Sequence, residues 1–152
     1  MKKTSNRIKS ANLRCLIVER HRWETGFVRE QLQIPLDVAA EFFGAGNYNR
    51  PIRVRISGAN RQIYPCIVTR IHRTSRTRRI NGLPFLGLMG PCFIFLEETG
   101  ESGLYEIWCQ YDVAIVAAKF RGWRQARNSQ YGRGRLALII SGSVARKIDR
   151  CD

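Results

Sequence analysis

Thirteen consecutive residues are dense in groups that bind anions: Arg70-Ile71-His72-Arg73-Thr74-Ser75-Arg76-Thr77-Arg78-Arg79-Ile80-Asn81-Gly82. Five arginines in that span leave too little apolar material to offset burial, so the segment must be solvated or must meet a polyanion. A guanidinium is a planar fork that bonds bidentately to phosphate or to the O6/N7 edge of guanine. Arg78 and Arg79 are adjacent, and in an extended backbone they point to opposite sides, one toward a base edge and one toward a phosphate. Asn81-Gly82, with Pro84 just beyond, reads as a turn. The pattern predicts an exposed arm in a groove of double-stranded DNA, its contacts being Arg70, His72, Arg73, Ser75, Arg76, Thr77, Arg78, Arg79 and Asn81.

A second charged stretch, Glu19 to Gln31, carries Arg20, His21, Arg22, Trp23, Arg29, Glu30 and Gln31. Glutamate can accept from cytosine N4 and glutamine can bond an adenine edge, so this stretch is a candidate first arm. Arg53, Arg55, Arg124 and Arg127 are candidate phosphate contacts that would fix register on the duplex.

The sequence argues against chemistry in this chain. His21 and His72 both lie in basic runs, and Cys15, the cysteine nearest to His21, sits in an apolar one. Glu97, Glu98 and Glu101 share a glycine-rich loop with no lysine nearby, unlike a two-metal nuclease site. The five cysteines form no CxxC pair, and no GxxxxGK[ST] sequence is present. The expectation is no catalytic residue, no metal ligand and no cofactor within this domain.

The 152 residues suffice for one domain with a real core, and 44% hydrophobic content is globular. A net charge of +14 is most easily tolerated when the usual partner is a polyanion. Lysine occurs at only five positions (2, 3, 9, 119 and 147), so 21 of the 26 basic residues are arginine, a bias toward shaped hydrogen bonding over simple attraction. Neither a secretory leader nor a membrane-length apolar run is visible, and Cys66, Cys92 and Cys109 sit in apolar runs as small hydrophobes. These features predict a cytoplasmic, reduced protein that does not enter membranes.

Positioning these groups requires a scaffold, and the apolar pattern supplies it. Strands are expected at Leu13–Val18, Pro51–Ile56, Ile63–Thr69, Cys92–Leu96, Leu104–Cys109 and Leu136–Ile140, with a short apolar segment at Leu83–Met89. Pro35, Asp37 and Gly44 punctuate a short helix, and Asp112 to Phe120 reads as a second. Such a pattern indicates a mostly β fold, a seven-stranded open pseudobarrel with two short helices. The expected organisation is a basic N-terminus over 1–12, a domain over 13–142, and a polar tail or linker over 143–152.

The order of pieces resembles the N-terminal effector-binding domain of EcoRII-like type II restriction endonucleases, which share the pseudobarrel of the plant B-three DNA-binding domains. Thr25-Gly26, Ile34-Pro35 and the helix ending at Phe43 look like that family's first arm, strand and helix; Thr77-Arg78-Arg79-Ile80 looks like its second arm; Leu138-Ile139-Ile140-Ser141-Gly142 looks like its closing strand. The resemblance implies a wrench-like grip on the major groove, one arm over Arg20 to Gln31 and the other over Arg70 to Asn81. It implies cleavage in a separate, magnesium-dependent domain of the same protein, a bacterial source, a monomeric recognition module, and a short GC-containing target of the CCWGG kind. Where the family has an acidic residue before the basic pair, this chain has Thr77. The competing reading is an RNA-binding or ribosome-associated β-barrel, whose mark would be aromatics exposed on a sheet face.

Overall fold

The computed structural model describes residues 12–20, 30–44, 49–58, 62–70, 74–83, 92–125 and 136–148. The elements run β1 (Arg14–Arg20), β2 (Glu30–Pro35), α1 (Leu36–Phe43), β3 (Asn49–Ile56), β4 (Ile63–Thr69), β5 (Thr77–Leu83), β6 (Cys92–Glu98), β7 (Leu104–Gln110), α2 (Val113–Lys119), β8 (Arg124–Gln125), β9 (Leu136–Ser141) and α3 (Gly142–Ala145). The fold is mostly β, as expected, but one sheet of nine strands replaces the expected seven, in the order β2-β5-β4-β3-β7-β6-β1-β9-β8. Six of the expected strands are present; β2 and β5, which the charged sequence disguised, and the two-residue β8 are added, while of the seventh expected segment, Leu83–Met89, only Leu83 lies within the described residues, at the end of β5. Three helices replace the expected two.

The sheet curls into a nearly closed barrel, with β2 approaching β1 and β9 across the gap. Neighbouring strands are antiparallel except β3 and β7, which pair in parallel from Arg53↔Leu104 to Ile56↔Ile107. Inside the curl, Leu16, Leu32, Ile34, Val54, Val68, Ile80, Leu96 and Ile107 form one core. Helix α1 plugs one end of it through Val38, Ala39, Phe42 and Phe43. Pro35 opens this helix, and Gly44, at φ 100, closes it with its N–H bonded to Ala40 O.

A second core lies on the outer face of β1, β6 and β7, where Ile17, Phe93, Phe95 and Trp108 pack under Val116 of α2 and Ala145 and Ile148 of the C-terminal segment. Phe95 and Trp108 stack with ring centroids 3.9 Å apart. Burial on both faces explains why β1 and β6 read as continuous apolar runs, whereas β3, covered on one face, alternates Ile52, Val54 and Ile56 with Arg53 and Arg55. The residues from Ser143, expected as a polar tail, are instead partly structural: α3 and Ile148 complete this core, and Ile148 is 8% exposed. Glu97, expected in a loop, is buried in β6, where its carboxylate accepts from Trp108 Nε1 at 3.0 Å. Among the described residues no helix is long and apolar enough to cross a membrane.

Candidate nucleic-acid interface

The second-arm segment divides in two. Residues Thr77 to Leu83 are not a solvated arm but strand β5, hydrogen-bonded to β2 on one side and β4 on the other. Nor is Asn81-Gly82 a turn. Glu30 pairs with Leu83 and Gln31 with Asn81, so Gly82 is the extra residue of a β-bulge, at φ 90. A Cβ there would lie 3.0 Å from Pro65 O, which is why this position takes glycine. The bulge resets the strand's phase, so Leu83 turns inward as Ile80 does, although the two are three positions apart.

Alternation in β5 gives its two arginines opposite fates. Arg78 is buried at 5% exposure and donates from Nη1 to Gly44 O at 3.1 Å, tying the strand to the end of α1. Burial lowers the pKa of its guanidinium, and the neighbouring charges of Arg70 and Arg50 lower it further. It is therefore a structural group and not a groove contact. Arg79 faces outward, in register with Gln33 of β2 and Thr69 of β4. Thr69 is in turn opposite Asn49 of β3, its Oγ1 lying 2.7 Å from Asn49 Oδ1. The result is a polar row across four strands, Gln33–Arg79–Thr69–Asn49, with Asn81, Ile67 and Pro51 in the adjacent row. The side chains of Arg79 and of exposed Arg76 make no ion pair or hydrogen bond with any described residue. Arg70 is turned back on its own loop, donating from Nε and Nη2 to Ser75 O at 3.1 and 3.0 Å. Ser75 is half-buried, and His72 and Arg73 lie outside the described residues.

The first arm is largely beyond description: His21, Arg22, Trp23 and Arg29 lie outside the described residues. Arg20 corrects the expectation. It ends β1 opposite Cys92 and is 2% exposed, so it is part of the barrel wall. Glu30 and Gln31 are backbone members of β2 at the bulge.

Three of the four expected phosphate contacts hold carboxylates instead. Arg53 pairs with Glu101 at 2.5 Å, Arg55 with Glu106 at 2.6 Å, and Arg124 with Glu41 at 3.2 Å and Asp37 at 3.6 Å. Arg127 lies outside the described residues. Sequence reasoning passed over Gln33, Thr69 and Asn49, which complete the polar row. The alternation Leu32-Gln33-Ile34 signalled Gln33.

Helices cover the outer face of the sheet only over β1, β6, β7 and β9, which leaves the face of β2, β5, β4 and β3 open among the described residues. Ile63 and Ile67 are 43% and 47% exposed on it. Acidic side chains are absent from β4 and β5. Cys15, Cys66, Cys92 and Cys109 are buried, and no three His, Cys, Asp or Glu converge among the described residues. Comparisons of the chain with protein-family models, with curated proteins and with solved structures return no match.

Proposed function

We propose that the chain is a sequence-specific double-stranded DNA-binding module of the B-three-like pseudobarrel kind, acting as the recognition domain of a type II restriction endonuclease. The observation that carries this reading is the construction of the β2–β5 ribbon. Its outward face presents Arg79 between Gln33 and Thr69, the side-chain types that read guanine and adenine edges. The two arm segments attach at its opposite ends: residues 21–29 lead into Glu30, opposite Leu83, and residues 70–76 lead into Thr77, opposite Pro35. Those ends are roughly 17 Å apart, enough to straddle a major groove about 12 Å wide. Arg79 is the base-reading residue in this scheme, and Arg76 contacts phosphate. Cleavage belongs to a separate domain that supplies its own magnesium. Among the described residues the outward positions of β3, β4 and β5 carry no aromatic, the side-chain type on which single-stranded RNA would stack.

The test is selection from a random duplex pool followed by titration at several salt concentrations, with single-stranded RNA as competitor. One short motif should be enriched. Arg79→Ala should relax it at one position by about 1–3 kcal/mol, whereas Arg76→Ala should weaken all duplexes alike and reduce the salt slope by about 1. Equal binding to every duplex, or preference for RNA, overturns the proposal.

A further inference from the structure

A polar cleft of about 350 Å³ opens beside the C-terminal end of α1, between that helix and the β6–β7 hairpin. Three carboxylates line it, and each already has an arginine. Glu98 is held by Arg14, whose Nη2 lies 3.0 Å from Oε2; Glu101 pairs with Arg53; Glu41 pairs with Arg124. The exposed carbonyls of α1 are also satisfied, since Arg14 donates to Glu41 O and Phe42 O, and Arg78 donates to Gly44 O. The remaining charge is Arg50. A Cβ built on Gly44 would sit 3.3 Å from Arg50 Nη1, so this guanidinium lies against the cleft wall, and its side chain makes no ion pair or hydrogen bond with any described residue.

Tyr105 stands in the same wall. Its ring is wedged against Phe42 and Phe43 with centroids 5.6 Å from each, and only 5% of the residue is exposed. Its hydroxyl has no hydrogen-bond partner among the described residues. Burial first, and then the Glu98 charge, raise the pKa of this phenol, so it keeps its proton and remains a donor. Arg50 and Arg14 act on the same hydroxyl in the opposite sense, which sets the hydroxyl among the cleft's charges.

We propose that this cleft binds a phosphate-bearing ligand, with Arg50 supplying the charge and Tyr105 a hydroxyl donor. A guanidinium beside a preset O–H donor is the complement of a phosphate oxygen pair, and the volume lies at the lower end of the range for small-molecule sites. The phosphate is either that of a free monoester or one from a nucleic-acid backbone; the chemistry at Arg50 is shared. The site stands apart from the outward row on β5 and does not depend on it.

The experiment is calorimetric titration of the whole chain with inorganic phosphate, adenosine 5′-monophosphate, unphosphorylated adenosine and a short duplex. Four proteins are compared: wild type, Arg50→Gln, Tyr105→Phe and Arg121→Gln, the last a control for exposed charge elsewhere. Saturable binding of the phosphate and the monophosphate, but not adenosine, is expected. It should fall about 10-fold or more in Arg50→Gln and several-fold in Tyr105→Phe, with no change in Arg121→Gln. If only duplex binding responds to Arg50→Gln, the ligand is a backbone phosphate and the site stands. If Arg50→Gln and Arg121→Gln behave alike with every probe, Arg50 only complements the helix end and the proposal fails. A chain that binds monophosphate through Arg50 yet selects no duplex sequence keeps this site and loses the recognition-domain reading.

Discussion

Replacing Gly82 with alanine tests the bulge that shapes the proposed reading strand. Two penalties apply. At φ 90 an L-residue costs about 1–2 kcal/mol relative to its ordinary conformations. The new methyl also meets Pro65 O at 3.0 Å, a backbone atom of paired strand β4 that cannot swing aside. Against these, alanine lowers the entropy of the unfolded chain, a gain of about 0.4–1 kcal/mol. The net expectation is a loss of about 1–2 kcal/mol, which for a domain of this size lowers Tm by about 2–8 °C. Gly58 provides the control. Its φ is 76, yet no atom lies within 4 Å of a Cβ there, so Gly58→Ala carries the backbone penalty alone. Urea unfolding of both variants should find Gly82→Ala less stable than Gly58→Ala by about 1 kcal/mol, the share due to the close contact. Equal losses would refute the close approach of β5 to β4. A stabilised Gly82→Ala would refute the bulge itself, and with it the phase that turns Arg78 inward and Arg79 outward.

Arg14 joins three elements, its side chain bonded to Glu98 on β6 and to two carbonyls of α1. Its guanidinium is partly exposed, so after discounting for solvent Arg14→Met should cost about 2 kcal/mol by urea unfolding, with Arg14→Lys recovering less than half. Cys66 gives a pH signature. Burial pushes its thiol up to about 11 from an ordinary 9.0, so the folded chain holds this proton more tightly than the unfolded one. Its contribution to stability is therefore complete below about pH 9 and lost as pH rises toward 11. Cys66→Ala should flatten that part of the stability profile; an unchanged profile would refute the assignment.

Most of the barrel was legible because its strands obey simple patterns. Cys92 to Leu96 reads as a strand packed on both faces, Ile52 to Ile56 as one packed on a single face, and Pro35, Asp37 and Gly44 delimit α1. Strand β5 was not legible, because its signal rests on Ile80 and Leu83 alone and the bulge breaks their period. Arginine density suggested solvent, yet a long side chain can bury its stem and hand its head to a carbonyl, as Arg78 does with Gly44. Arg53, Arg55 and Arg124 were legible as charges but not as partners, since Glu101, Glu106 and Glu41 meet them only through tertiary pairing. The cleft with Arg50 and Tyr105 left no local trace, because its walls come from distant segments.

The position of β1 has a consequence for the order of folding. Every residue of this strand after Arg14 is buried, but both neighbours come much later in the chain: Leu16 sits opposite Leu96 on one side and Ile139 on the other. During synthesis, the strand at the centre of both cores emerges early and has no lasting partner until β6 and then β9 follow. The ribbon of β2 and β5 and the hairpin of β3 and β4 close over shorter distances, and loop-closure entropy favours them. By the same entropy the β6–β7 hairpin, closed by residues 99–103, is expected early as well, and the longest-range pairing of the sheet, β9 against β1, is expected last.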